Sequence, residues 1–75
     1  MVEEFLIELG IPYEKDGNTF ELHEVGGQIT DHKDFTSFIH GNREIRINHT
    51  HPDFKKLLVA YNEGFDEFET YLMNL

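Results

Sequence analysis

The run from Pro52 to Leu75 constrains this chain more than any other stretch. Its apolar residues Phe54, Leu57, Leu58, Tyr61, Phe65, Phe68, Leu72 and Leu75 recur at helical spacing. Such a stripe keeps one helix face continuously apolar and demands a second layer to cover it. The other side carries Glu63, Asp66, Glu67 and Glu69, and no Lys or Arg follows Lys56 to pair with them. In one long helix, Glu63 and Glu67 oppose each other one turn apart, and acids near the C-terminus oppose the macrodipole. A local rule broken without visible compensation marks a place to look for function. Gly64 lies inside the pattern and costs about 1 kcal/mol relative to Ala. Because the stripe keeps its phase across Gly64, the pattern predicts one helix.

The 75 residues include no Cys, which excludes disulfide staples and thiolate metal sites. A chain this short buries only roughly 60 % of its unfolded surface, so its seven Phe and three Tyr must hold the fold. We read residues 1–75 as a single domain. With no apolar run long enough for a signal peptide or a membrane span, the expected location is cytoplasmic.

Met1 to Leu9 reads as a short helix with Val2, Phe5, Leu6 and Leu9 on one face. Gly10 is a left-handed cap and Pro12 forbids continuation. Asp16-Gly17 then separates two strand-like runs, 11–15 and 19–25, in a tight hairpin with Phe20 and Leu22 facing inward. Residues 26–34 lack periodicity and read as a loop, with at most a short extended piece at 28–30. Gly41-Asn42 suits a second hairpin that sets His40 opposite Arg43, Phe38 opposite Ile45 and Thr36 opposite Ile47. Thr50 or His51 is the expected cap of the last helix, with Pro52 in its first position. The sum is an α+β domain: a small antiparallel sheet of three to four strands, flanked by a short N-terminal helix and a long C-terminal one.

Fifteen acids against six bases give a net charge of -9, unevenly spread. Residues 1–24 hold seven acids and one Lys, residues 43–56 hold four bases and two acids, and residues 57–75 hold four acids and no base. Such a field repels nucleic acid and membrane surfaces and speeds encounter with a basic partner. Excess acid also serves solubility alone in many small proteins.

Enzymatic chemistry finds little footing. Ser37, the one serine, sits mid-strand, and Gly26-Gly27 lacks the Lys and the following helix of a phosphate loop. We expect no catalytic residue and no cofactor. His49 and His51, alternate residues near Asp53, raise the suspicion of a metal, but His23, His32 and His40 add no ligand spacing, so no metal is expected. Direct nucleic-acid binding through Arg43, Arg46, Lys55 and Lys56 fails against the net charge.

Rows of acids invite the converse reading. Helical residues three or four apart rise about 4.5 to 6 Å and alternate strand residues about 6.6 Å, so carboxylates can stand at spacings comparable with phosphates. With Glu3-Glu4 to Glu24 at one end and Glu63 to Glu69 at the other, short length, no Cys and many aromatics, the chain resembles the small acidic proteins by which bacteriophages disable host machinery in imitation of DNA. The resemblance is one of character across the whole chain, and these proteins share no common fold. It implies a cytoplasmic inhibitor of a basic DNA-binding protein. Targets of the class include restriction enzymes, uracil-DNA glycosylase, CRISPR nucleases and the histone-like nucleoid protein HU, which reads DNA through backbone and shape and is our first candidate.

The expected partner-binding residues are Glu63, Asp66, Glu67 and Glu69, with Glu14, Asp16, Glu21 and Glu24 as a second row. The basic group from Arg43 to Lys56 departs from a uniformly acidic mimic and suggests self-association as a homodimer. The rival reading is a small adaptor or antitoxin-like module, anchored by exposed aromatics such as Phe35, Tyr71 or Tyr13, with the acids serving solubility only.

Overall fold

The structure, a computed structural model, describes residues 2–75. The chain runs α1 (Val2–Leu9), β1 (Tyr13–Asp16), β2 (Thr19–Leu22), β3 (Gly27–Asp31), β4 (Phe35–His40), β5 (Arg43–Asn48), α2 (Phe54–Glu63) and α3 (Phe65–Met73). It is an α+β fold. The strands form one antiparallel meander in the order β1-β2-β3-β4-β5, and the helices cover one of its faces.

The end of α1 follows from its sequence. Gly10 takes φ 70°, its N–H donates to the Ile7 carbonyl at 3.1 Å, and the Ile11 N–H donates to the Leu6 carbonyl at 2.9 Å. These are the paired bonds of a Schellman end, and Leu6 and Ile11 both enter the core. The β4–β5 hairpin has the register its alternation predicts, with His40 opposite Arg43, Phe38 opposite Ile45 and Thr36 opposite Ile47.

Four expectations change. Asp16 joins β1 opposite Thr19, so the first turn is Gly17-Asn18; only Gly17 has positive φ, 64°, and the turn forms where glycine can take the first central place. The supposed loop contains β3, which makes five strands. Ile29 is its one core residue, too little to create a period, but β2 and β4 supply backbone partners on both sides. The last helix starts at Phe54 without a side-chain cap: Thr50 turns to Asn48 Oδ1, and the His51 ring accepts the Asp53 N–H at 3.0 Å.

The fourth change is the largest. The C-terminal helix is two helices broken at Gly64, whose backbone is extended (φ 160°, ψ 154°). A straight helix of some 20 residues would reach about 30 Å, whereas six-residue strands reach only about 20 Å. Breaking at the residue least committed to helix brings Phe68 back over the sheet, stacked on Phe38 at 4.7 Å and edge-on to Tyr61 at 5.5 Å. Tyr61 locks this layer down. Its buried hydroxyl donates to the Ile39 carbonyl and lies 3.2 Å from that of Gln28, against the bare backbone of Gly27. No helix among the described residues is long and apolar enough to cross a membrane.

Candidate functional site

Strand alternation leaves the sheet face away from the helices open. Across it runs a row of directly opposed residues, Glu14, Glu21, Gln28, Ile39 and Glu44, one from each strand at about 4.8 Å spacing. The neighbouring row is Asp16, Thr19, Thr30, Ser37 and Arg46, with the hydroxyls of Thr19 and Thr30 3.2 Å apart. The face is thus acidic over β1 and β2, polar at its centre and mixed over β5. Ser37 is almost fully buried there. Its hydroxyl, short of full hydrogen-bond geometry, still faces Glu44 and, ahead of Arg46, holds that carboxyl below the ordinary range.

The second acidic group sits elsewhere. Glu24, in the turn after β2, comes together with Glu63, Asp66 and Glu67 around a cavity of about 450 Å³ that also includes His40, Arg43 and Phe65. The ring of Phe65 has two such partners, His40 stacking at 5.4 Å and the Arg43 guanidinium lying 4.9 Å from its centre. Seven of the eight acids therefore form two groups: Glu14, Asp16 and Glu21 on the open sheet face, and Glu24, Glu63, Asp66 and Glu67 about the Gly64 break. The break also alters their energetics. Asp66 and Glu67 now occupy the first turn of α3, where the macrodipole favours them.

Glu69 is distinct, because Arg43 of β5 forms an ion pair with it. That contact supplies the counter-charge missing from the C-terminal sequence. Four other bases are similarly engaged: Lys15 with Glu3 at 2.9 Å, Arg46 with Glu44 at 3.4 Å, Lys55 with Glu8 at 2.7 Å and Lys56 with Asp53 at 3.9 Å. Five of the six Lys and Arg side chains thus face acids of the same chain, and the basic stretch 43–56 forms no separate cationic patch. By contrast, Glu14, Asp16, Glu21, Glu24, Glu63, Asp66 and Glu67 have no ion pair among the described residues.

The aromatics named as anchors have different fates. Tyr13 donates to Glu3 at 2.7 Å and packs edge-on to Phe20, while Phe35 stacks on His32 at 4.5 Å and has the Arg46 guanidinium 5.4 Å from its centre. Tyr71 lines a groove between α2 and α3 together with Val59 and Ala60. Sequence reasoning missed those two residues because they lie beside the core stripe, and only the fold-back at Gly64 makes their side of α2 concave.

His49 and His51 do not converge. His49 Nε2 is 2.9 Å from both Asp31 Oδ1 and Thr36 Oγ1, and its ring meets Phe54 edge-on, whereas His51 turns to the Asp53 backbone. Among the described residues no three His, Cys, Asp or Glu side chains are grouped to hold a metal ion. Comparison with protein-family models, with curated proteins and with solved structures finds no match.

Proposed function

We propose that this protein is an acidic inhibitor that imitates DNA, acting in the cytoplasm by occupying the DNA-binding surface of a basic protein. A histone-like nucleoid protein of the HU type is the first candidate. One observation carries the reading: internal pairing engages five of the six bases, while seven of the eight acids singled out above are exposed and have no ion pair among the described residues. Glu14 directly opposite Glu21 adds to it, since like charges placed across a strand pair destabilise a sheet. Strands about 4.8 Å apart set Glu14 beside Glu21, which suits a surface that accepts phosphate-seeking Lys and Arg. Anchoring by Tyr13 or Phe35 is less supported, because both rings already have partners within the fold.

The test is displacement of labelled duplex DNA from a purified HU-type protein at about 0.1 M and about 0.5 M salt. Displacement that weakens steeply at the higher salt supports the reading. Retention of DNA by the basic protein at every concentration of the inhibitor would sink that target, and a lysate pull-down yielding only neutral, salt-resistant partners would sink mimicry altogether. At residue level, Glu63→Lys with Glu67→Lys should remove displacement while leaving the circular dichroism spectrum unchanged; undiminished displacement would exclude this group of acids.

A further inference from the structure

The α2–α3 groove has a design that charge alone does not use. On α2 it is lined by Lys56, Val59, Ala60 and Glu63. On α3 it is lined by Glu67, Thr70 and Tyr71, and by Asn74 at the end of that helix. Both stripes step i, i+3, i+4, i+7, the spacing by which one helix face receives another helix lying along it. Seven residues of rise are about 10 Å, or two helical turns.

The groove holds about 490 Å³ and its middle is apolar, with Val59 39 % exposed beside Ala60 and Tyr71. Its two ends differ in charge. Glu63 and Glu67 wall the end at Gly64 and have no ion pair among the described residues. At the other end Lys56 leans toward Asp53 at 3.9 Å, and the Asn74 amide donates to the Thr70 carbonyl at 2.8 Å.

We propose that this groove docks an amphipathic helix of a basic protein partner. About two turns of that helix seat apolar side chains over Val59, Ala60 and Tyr71 and direct Lys or Arg toward Glu63 and Glu67. The inference rests on the reading of this protein as a binder of basic partners, and it adds an apolar anchor that salt does not weaken. Charge complementarity selects the occupant. An anionic lipid surface is repelled by the acidic wall, and a second copy of this chain brings little free positive charge, since five of its six bases already face its own acids.

The experiment is an NMR titration of the ¹⁵N-labelled full chain with three helical peptides of about 15 residues. One has a Leu stripe flanked by Lys, one replaces each Leu by Ser, and one replaces each Lys by Glu. The Leu–Lys peptide is expected to shift the amides of Val59, Ala60 and Tyr71 and to bind about tenfold or more tighter than the Ser–Lys peptide, since it buries apolar surface. That margin should persist at about 0.5 M salt. Val59→Lys should abolish it at an unchanged unfolding temperature. Equal binding of the Leu and Ser peptides, or shifts confined to the open sheet face, would overturn the groove as the site. Equal binding of the Leu–Glu peptide would overturn the basic character of the partner. DNA displacement with a silent groove would refute this inference alone, whereas groove binding without displacement would refute the HU-type target alone.

Discussion

Replacing Gly27 by Ala should cost far more than a methyl group usually does inside a strand. Gly27 opens β3 opposite Leu22, beneath α2. A Cβ there would collide with the Tyr61 hydroxyl and stand 2.9 Å from the Ile39 carbonyl oxygen and 3.2 Å from Tyr61 Cζ. Neither neighbour yields easily, one being sheet backbone and the other a buried ring. Displacing Tyr61 forfeits a hydrogen bond of about 1 kcal/mol. It also disturbs edge contacts with Phe38 at 5.3 Å and Phe68 at 5.5 Å, each worth about 0.5 to 1.5 kcal/mol. Overpacking strain adds about 1 to 3 kcal/mol, and reduced entropy of the unfolded chain returns about 0.4 to 1 kcal/mol. The net expectation is about 3 kcal/mol. A chain of this length holds roughly 4 to 11 kcal/mol in all, and at about 4 to 8 °C per kcal/mol the unfolding midpoint should fall by about 12 to 24 °C. Thermal and urea unfolding followed by circular dichroism measure it. Gly26→Ala is the control: its methyl meets open space, but φ 69° is unfavourable for Ala, at a cost of about 1 kcal/mol. In the Gly27→Ala background, Tyr61→Phe should recover part of the loss as a coupling of 0.5 kcal/mol or more, on the order expected for touching residues. A Gly27→Ala protein no less stable than Gly26→Ala, or a double mutant showing no coupling, would refute the collision argument.

Burial pushes the Tyr61 hydroxyl up to about 12. Because the folded state holds this proton longer than the unfolded chain, the associated stability is complete below about pH 10 and is lost as pH rises toward 12, by up to about 2 kcal/mol. Urea midpoints at about pH 9 and 11 should show that decline in the parent and less of it in Tyr61→Phe. Glu3 is held below the ordinary carboxylate range by Lys15 and then Tyr13. Its contribution is present above the unfolded carboxylate pKa and lost as pH falls through the lower folded value, so Glu3→Gln should flatten the acid limb of the stability profile. Glu21→Lys replaces a like-charge pair with an attractive one opposite Glu14; it should stabilise the sheet by about 0.2 to 1 kcal/mol while weakening DNA displacement. A stabilised variant with full displacement activity would remove the open sheet face from the proposed interface.

How far the chain could be read from its letters depends on how local each decision was. The end of α1 needed only Gly10, Ile11 and Pro12. The β4–β5 register needed only Gly41-Asn42 and the alternation of Phe38, Ile45 and Ile47, and Phe20 and Leu22 turned inward because strand residues alternate. Composition alone determined the net charge and the eight acids. Tertiary structure decided the rest, wherever the deciding partner lay far along the chain. β3 exists because β2 and β4 pair with it from both sides, although Ile29 alone marks its inner face. The break at Gly64 was invisible to periodicity because the stripe stays in phase, and it is driven by the mismatch between a long helix and a short sheet. That one break moved Asp66 and Glu67 to a helix start, gathered them with Glu24 and shaped the groove around Val59 and Ala60. The Arg43–Glu69 pair spans 26 residues. Local patterns say which side chains seek burial or water; which acids Lys15, Arg43 and Lys55 reach is settled only when distant elements pack.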